Sequence, residues 1–326
     1  MSDDSYTHGQ SEFTDRILAE PTADWPVEPG RYRLVASLAC PWASRVVAVR
    51  RLLGLEHAIT LAVVDPIQDE KSWRFTLDPG GVDPVLGIHY LFEAYDARRS
   101  DYTNGVSVPA VVDVRSGQLV TNDIHQITLD LSSQWTDYHR EGAPDLYPQE
   151  WREEIDAVME RVYTDLNDAV YGAGFARSQR SYGRAYGAVF DCLDWLSDRL
   201  ATRRYLVGDH LTEADVRLFT TLVRFDSVYH SHFKCNRNKI SEDPVLDAYL
   251  LDLMQTPGLG DTVNHAHIKH HYYQVQTNVN PSGIVPCGPV QDWNRPHHRD
   301  QLGGSPFGDG TPPTEHVGFA DYRWSA

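Results

Sequence analysis

A cysteine followed by a proline marks the first place in this sequence where side chains could carry out chemistry. In SLACPWASR, residues 37–45, Cys40 and Pro41 fall where an apolar run ends and a charged, amphipathic helical pattern begins. We place Cys40 at the N-cap and Pro41 at the first helical position, because proline costs no hydrogen bond there. The unpaired N–H groups and the helix dipole favour a thiolate at the N-cap. Cys40 is therefore a candidate nucleophile; the competing interpretation is an ordinary buried cysteine.

The segments around Cys40 have the order of a thioredoxin-like domain. Apolar, β-branched runs flank the cysteine helix, which ends at Gly54, and a hairpin pattern with a turn at Ser116-Gly117 precedes a helical segment, IHQITLDL. The predicted strands are residues 31–37, 58–64, 106–114 and 118–122. This order, βαβ followed by ββα, predicts a small mixed sheet of the thioredoxin type.

A second candidate feature lies in VSVP, where Val108 precedes Pro109. In thioredoxin-like folds the residue before a cis-proline offers its backbone N–H and C=O to the backbone of a thiol substrate. Val108 and Pro109 lie at the corresponding place in the strand order, although a proline of an edge strand is the competing interpretation. Together with Cys40, this pair favours a thiol-binding site.

A polar, proline-bearing stretch near residues 140–148 separates this domain from a segment with helical periodicity only. Within that segment, Thr212 and Asp215 form an acidic variant of the capping box before VRLFTTLVRF, whose apolar character on nearly all sides predicts a buried central helix. The predicted fold class is an α/β thioredoxin-like N-terminal domain followed by an all-α C-terminal domain. The predicted segments are an N-terminal extension (1–30), the thioredoxin-like domain (31–139) with an irregular insert (65–105), the all-helical domain (149–274) and an irregular tail (275–326).

Composition argues against several classes of partner. The formal net charge of −17 disfavours nucleic acid and anionic membranes, since both are bound through basic surfaces. Apolar runs are too short to cross a bilayer and the acidic first 30 residues differ from a signal peptide, so we expect a cytoplasmic protein. The four cysteines include no CxxC pair and no zinc-site spacing, and we expect them to be reduced.

Four histidines lie close together, at His265, His267, His270 and His271. His267 and His271 are four residues apart on a possible helix, which is a spacing that metal sites use. Because no aspartate or glutamate flanks them at ligand spacing, we expect solvated or structural histidines and predict no metal site.

Long segments of the sequence resemble the glutathionyl-hydroquinone reductases, the xi class of glutathione transferases. The resemblance covers most of the chain, residues 31–300, and is carried by RYRLVASLACPWASR, the insert with Trp73 and DPGGVDPVLG, VYGAGFA, YLVGDHLTEADVRLFTTLVRFDSVYHSHFKCN and HIKHHYYQVQTNVNPSGIVPCGP. It implies a thioredoxin-like domain joined to a helical one, a homodimer built through the helical domain, and a reductase with a small thiol as co-substrate.

The resemblance also implies roles for individual residues. Cys40 matches the nucleophilic cysteine, and Trp73 matches a tryptophan that helps to bind glutathione. Tyr171 in VYGAGFA and Tyr272 in HIKHHYY match two tyrosines that line the hydroquinone pocket. The competing interpretation of each tyrosine is a half-buried aromatic side chain with its hydroxyl at the surface.

The sequence departs from the family pattern around the hairpin. Where the family has GRVTVP and NNES, this chain has NGVSVP and TNDIHQ, so that Gly105 replaces an arginine, Asp123 a glutamate and Ile124 a serine. Asp123 can still hold an ammonium group, whereas loss of the guanidinium and the hydroxyl removes two groups that hold glutathione. Each charge-assisted contact of this kind contributes about 1.5–3 kcal/mol. The predicted thiol-binding residues that remain are Trp73, Val108, Pro109 and Asp123.

These departures lead to a hypothesis about the thiol. The basic residues are almost all arginine, with lysine only at positions 71, 234, 239 and 269, a composition typical of high-GC genomes. Some high-GC bacteria use the sugar thiol mycothiol in place of glutathione. We therefore expect a sugar thiol such as mycothiol rather than glutathione as the co-substrate. The competing interpretation is that Trp73, Asp123 and the Val108 backbone still suffice to bind glutathione.

The sequence thus predicts an enzyme that removes a small thiol from S-conjugated hydroquinones through a mixed disulfide on Cys40. Since the chain has no CxxC partner, a second thiol molecule from solution would resolve the disulfide. Two alternatives stay open. One is a dehydroascorbate or mixed-disulfide reductase using the same cysteine, and the other is a non-catalytic carrier of aromatic ligands in which Cys40 is inert.

Overall fold

The structure is a computed structural model that describes residue 9 and residues 11–314. These residues form two compact units. The first, which we name the sheet unit, contains residues 11–143, 261–271 and 312–314. The second, the helical unit, contains residues 9, 144–260 and 272–311.

The sheet unit is built on four strands. They are Tyr32–Ala36 (β1), Ile59–Val63 (β2), Ala110–Asp113 (β3) and Leu119–Thr121 (β4). The strand order is β2-β1-β3-β4, with β1 parallel to β2 and the other two pairings antiparallel. All residues of β1 are buried, as expected for a central strand covered on both faces. The predicted thioredoxin-like sheet is confirmed.

Helix α1, Pro41–Leu52, follows β1 and starts where the sequence predicts, with Cys40 as its N-cap. The expected amphipathic burial is wrong, because all twelve residues of α1 are buried, including its arginines. Two contacts stabilise these charges. The Arg50 Nε donates to the Ile59 carbonyl of β2 at 2.5 Å, and within the helix the Arg45 guanidinium lies 4.3 Å from the Trp42 ring. Burial of the whole helix fixes its N-terminus, and therefore Cys40, against the sheet.

The sequence predicted an irregular insert over residues 65–105, but the structure shows regular secondary structure within it. It contains helix α2, Phe92–Arg98, with Ala94 and Tyr95 buried. The insert is also anchored to β1 by a buried ion pair, in which Arg33 donates to Asp83 from Nε at 2.8 Å and from Nη2 at 2.6 Å. Two backbone N–H groups, of Val85 and Leu86, satisfy the other Asp83 oxygen. Removal of either partner would leave an uncompensated buried charge, so this pair ties the insert to β1.

Helix α3, Ile127–Ser133, completes the hairpin side of the sheet unit and packs on α1. Residues 11–30, which the sequence assigned to an extension, pack on this unit as well. Thr14 forms an isolated bridge with Thr121 of β4, and the Phe13 N–H donates to the Asn122 side chain at 3.2 Å. Residues 1–8 and 10 of the predicted extension lie outside the described residues.

The helical unit contains five α-helices. They are Arg152–Val162 (α4), Ala169–Gly174 (α5), Gln179–Leu200 (α6), Glu213–Arg224 (α7) and Pro244–Gln255 (α8). The predicted central helix is confirmed: all residues of α7 are buried, and the capping box of Thr212 and Asp215 begins it. The Thr212 N–H donates to the Asp215 carboxylate at 2.9 Å. Because that carboxylate is fully buried, burial raises its pKa.

Helix α9, His265–His270, belongs to the sheet unit and runs into a π-helical turn, His271–Val275. The tail after this turn contains, within residues 276–314, one short 3₁₀ helix, Arg299–Leu302. Arg299 is buried and its Nη2 donates to the carbonyls of Leu200 and Arg204 at 3.1 and 2.9 Å, so the tail covers the end of α6. Residues 315–326 of the predicted tail lie outside the described residues. Over the described residues, no helix has both the length and the apolarity required to cross a bilayer.

Candidate active site

Cys40 lies at the junction of β1 and α1 and is half-buried. Its backbone is extended, with φ −75° and ψ 123°, and its carbonyl accepts the Ser44 N–H at 3.0 Å and the Ser44 hydroxyl at 2.9 Å. The Sγ donates to the Val108 carbonyl at 3.4 Å. The structure therefore brings two predicted site residues, Cys40 and Val108, into direct contact at the start of a helix.

The peptide bond between Val108 and Pro109 is cis. The residues before it are held by a buried network that sequence reasoning missed: the Tyr95 hydroxyl donates to the Ser107 carbonyl at 2.8 Å, and the Asn122 side chain donates to the Ser107 hydroxyl at 3.0 Å. Burial raises the pKa of Tyr95, so its phenol stays protonated and can donate. The sequence offered one signal for this network, the polar residue Asn122 directly after β4.

Trp73 lies in the insert and is only 5% exposed. Its backbone carbonyl accepts the Leu91 N–H at 3.0 Å, and its ring stacks on His271 with centroids 5.3 Å apart and planes 20° apart. Within the described residues, no acceptor lies in hydrogen-bonding reach of its buried Nε1. A buried donor without an acceptor is costly, which makes this N–H a candidate donor to a ligand.

The three positions that depart from the family pattern have different surroundings. Asp123 begins the turn before α3, where one carboxylate oxygen accepts the His125 N–H at 2.9 Å and the Gln126 N–H at 3.3 Å. Gly105 is exposed, and a Cβ placed there would meet no non-neighbouring atom within 4 Å. Ile124 is 6% exposed and belongs to the core. A side chain at position 105 therefore meets no neighbour at its Cβ, whereas position 124 is filled by an apolar side chain.

A cluster of tyrosines lies in the helical unit. The Tyr171 and Tyr272 hydroxyls share a hydrogen bond, and the Tyr229 hydroxyl lies 3.0 Å from that of Tyr272. All three side chains are buried, at 8%, 1% and 0% exposure, so the alternative of surface hydroxyls is wrong for both predicted tyrosines. Burial is the main cause that raises the pKa of Tyr272 far above its ordinary value, so its phenol stays neutral.

Sequence reasoning missed Tyr229 as a member of this cluster. Tyr229 ends a π-helical turn, Phe225–Tyr229, and Tyr272 lies in another such turn, His271–Val275. π-Helical turns insert one extra residue into a helix and are frequent at functional sites, but propensity does not predict them. The segment VYGAGFA fits beside the cluster because Gly174 has no side chain: a Cβ there would lie 2.3 Å from the Phe233 ring.

The histidine cluster lies on α9 and the turn after it. Asn264 caps this helix by accepting the His267 N–H at 2.9 Å, and His267 is completely buried. In the part of the chain that the structure describes, no three His, Cys, Asp or Glu side chains form a group that could hold a metal ion.

The remaining cysteines have two kinds of surroundings. Cys192 and Cys235 are buried, and burial raises the pKa of each thiol to about 12. Cys287 is exposed in the tail. Only Cys40 combines partial exposure with a helix N-terminus.

Comparison with known proteins agrees with this architecture. A model of the glutathione S-transferase C-terminal domain matches residues 149–251. Glutathionyl-hydroquinone reductase PcpF from Sphingobium chlorophenolicum is 44% identical over 267 residues, 81% of this chain and 84% of that protein. The crystal structure of a glutathione transferase from Gordonia bronchialis is 58% identical with a TM-score of 0.92, and covers 94% of this chain and 95% of that chain. The glutathione-bound structure of YqjG from Escherichia coli K-12 is 38% identical with a TM-score of 0.83, over 91% of this chain and 98% of that chain.

The fold and these similarities define the class of protein, a glutathione-transferase-like, thiol-dependent oxidoreductase. Within that class, the chain belongs to the glutathionyl-hydroquinone reductase family, the xi class of glutathione transferases.

The different surroundings of the four cysteines predict an order of alkylation. We expect iodoacetamide at about pH 8 to label Cys40 and Cys287 in the folded protein, and Cys192 and Cys235 only after unfolding, because the latter thiols are buried and protonated. Peptide mapping by mass spectrometry at successive times measures this order, with the denatured protein as the control that labels all four. Early labelling of Cys192 or Cys235, or persistent protection of Cys40, would contradict it.

Proposed function

We propose that this protein removes a small thiol from S-conjugated hydroquinones through a mixed disulfide on Cys40. The observation that carries the proposal is the placement of the Cys40 Sγ at a helix N-terminus, 3.4 Å from the carbonyl that precedes the cis-proline. Family membership supports it, since the relative PcpF is named a glutathionyl-hydroquinone reductase. The placement of Cys40 does not depend on the identity of the thiol, whereas the name of this relative specifies glutathione.

The proposed reaction has two steps. The Cys40 thiolate attacks the sulfur of the conjugate, so that a Cys40–thiol disulfide forms, the aryl carbon–sulfur bond breaks and its electron pair stays on the ring. A proton taken up at that ring carbon gives the free hydroquinone. A free small thiol, as its thiolate, then attacks the conjugate-derived sulfur of the mixed disulfide and regenerates the Cys40 thiolate. The ring is thereby reduced by two electrons, while the sulfur of the conjugate and the sulfur of the free thiol are oxidised to a disulfide.

In this proposal, Tyr171 and Tyr272 bind the hydroxyl of the aromatic ring. Because burial keeps the Tyr272 phenol neutral, it can donate a hydrogen bond to an oxygen that gains charge as the carbon–sulfur bond breaks. Tyr229 joins the cluster through its bond to Tyr272 and would orient that phenol.

We further propose that the small thiol is held by Trp73, Val108, Pro109 and Asp123, and that it is mycothiol rather than glutathione. Gly105 supplies no cation, and the apolar Ile124 supplies no hydroxyl. Trp73 retains an available indole N–H, which an oxygen of either thiol could accept. The arginine-rich composition supports the same choice indirectly.

The proposal also covers the domain organisation, the oligomeric state and the cellular location of the protein. From the sequence pattern we propose a thioredoxin-like domain over residues 31–139 and a helical domain over 149–274. From the family resemblance we propose a homodimer built through the helical domain. We propose a cytoplasmic location, as the sequence predicts.

Replacement of the nucleophile tests the mechanism directly. We expect Cys40→Ser to abolish reductase turnover while leaving the thermal unfolding midpoint close to that of the wild type, because serine can still cap α1 but is a far weaker nucleophile. Cys287→Ser, which changes an exposed cysteine, is the matched control and should retain full activity. Activity of Cys40→Ser within about tenfold of the wild type would place the chemistry elsewhere.

The tyrosines can be separated from the thiol chemistry by comparing two substrates. We expect Tyr171→Phe and Tyr272→Phe each to lower kcat on a hydroquinone conjugate by about ten- to a thousandfold, since each removes a donor to the ring oxygen. Formation of the Cys40 mixed disulfide from a simple disulfide should stay nearly unchanged. Tyr182→Phe removes a hydroxyl that bonds the Lys234 carbonyl at 2.7 Å and serves as the control. If the rates of both reactions fall by similar factors, the tyrosines act through the fold or through the thiol site.

The identity of the thiol is tested by intact mass. We expect incubation with oxidised mycothiol to give an adduct on Cys40 and incubation with oxidised glutathione to give little. Gly105→Arg should increase the affinity for glutathione about tenfold or more, because it restores a charge-assisted contact at a site with open space. Ser100→Arg adds the same charge at another exposed position and should not. Saturating glutathionylation of the wild type at micromolar concentration, with no preference for mycothiol, would refute the choice of thiol.

A further inference from the structure

His271 makes two contacts with one loop of the insert. Its Nδ1 lies 2.7 Å from the Pro66 carbonyl, and its ring stacks on Trp73. Because a carbonyl oxygen can only accept, Nδ1 must carry the proton, which fixes the tautomer of the neutral ring. The hydrogen bond therefore fixes the position and orientation of the His271 imidazole. The imidazole plane lies nearly parallel to the Trp73 indole plane.

The backbone around Trp73 is held by other bonds. The Asp65 N–H donates to the Arg74 carbonyl at 2.9 Å, and the Leu91 N–H donates to the Trp73 carbonyl at 3.0 Å. These bonds fix the Cα of Trp73 but leave the two dihedral angles of its side chain undetermined. The stack with His271 restricts those angles, and with them the direction in which Nε1 points.

That direction matters because the indole donor is not used within the described residues. Trp73 is 5% exposed, and its Nε1 is fully buried without an acceptor. An unsatisfied buried N–H destabilises a fold, which favours a ligand that supplies the missing acceptor. The complementary group on a ligand is an acceptor oxygen, such as a carboxylate or an amide carbonyl of the small thiol.

From these contacts we propose that His271 is a positioning residue for thiol binding, which orients the Trp73 indole N–H toward an acceptor oxygen of the small thiol. This inference rests on the proposed function, because it assigns the thiol as the ligand of Trp73. His271 itself takes part in no bond-making step.

Three substitutions separate the stack from the hydrogen bond. His271→Ala removes both, His271→Phe keeps an aromatic face without the donor, and His271→Asn keeps a donor near the place of Nδ1 without the ring. We expect His271→Ala and His271→Asn to raise KM for the thiol at least tenfold, with kcat at saturating thiol within threefold of the wild type. His271→Phe should recover KM to within threefold. The control is His57→Ala, which removes another histidine whose Nδ1 bonds a backbone carbonyl, Gly54 O at 3.0 Å, and should leave KM unchanged.

A spectroscopic measurement on the ligand-free protein tests the orientation itself. The protein has eight tryptophans, so 5-fluorotryptophan labelling gives a ¹⁹F spectrum in which Trp73→Phe assigns one resonance. We expect that resonance to shift or broaden in His271→Ala and to stay close to its wild-type position in His271→Phe. The other seven should move little in either variant.

The outcomes are distinguishable. An unchanged Trp73 resonance and an unchanged KM in His271→Ala would overturn the inference. Equal losses in kcat and thermal stability in all three variants would also overturn it, since they indicate a structural role only. Failure of the wild-type enzyme to show saturation with any thiol would instead overturn the proposed function, and this is seen before any variant is made.

Discussion

The antiparallel pairing of β1 with β3 determines where the thiol lies. In this pairing Val35 is opposite Ala110, so the chain leaving β1 toward Cys40 and the chain entering β3 from Val108 meet at one end of the sheet. The contact between the Cys40 Sγ and the Val108 carbonyl follows from this register. A shift of one residue would turn every side chain of β3 to the opposite face and remove the contact. Core packing of β3, whose four residues are all buried, opposes such a shift.

Local signals were sufficient to predict the start of α1, because the information lies within a few residues. Pro41 at the first helical position and Gly54, with a φ of +70° after the helix, are recognisable without tertiary structure. The burial of α1 was not predictable in the same way. Arginine in a helix is read as a solvent-facing residue, and only the folded chain shows that the Ile59 carbonyl accepts from Arg50. Helix α2 was missed because seven residues give too short a pattern, and its contacts with β4 stabilise it.

Prediction from the sequence was more limited for the candidate site. The resemblance identified Cys40, Trp73 and both tyrosines by matching motifs, but no local pattern could place Tyr229 beside Tyr272 or His271 on Trp73. The first depends on two π-helical turns, whose extra residue rotates the side chains by an amount that propensity does not encode. The second joins residues almost two hundred positions apart in the sequence. Pairing of this kind is a property of the tertiary fold.

Buried polar groups connect stability with function in both units. In the helical unit, burial keeps the Tyr272 phenol neutral, and its neighbours Tyr171 and Tyr229 satisfy its hydrogen-bonding groups. In the sheet unit, Asn122, Tyr95 and Ser107 satisfy one another in the same way. Trp73 differs, because its backbone is bonded and its ring is stacked while its N–H has no acceptor within the described residues. A ligand oxygen that accepts a hydrogen bond from the Trp73 Nε1 would offset the free-energy cost of burying this donor. Ligand binding would therefore stabilise the loop that contacts His271.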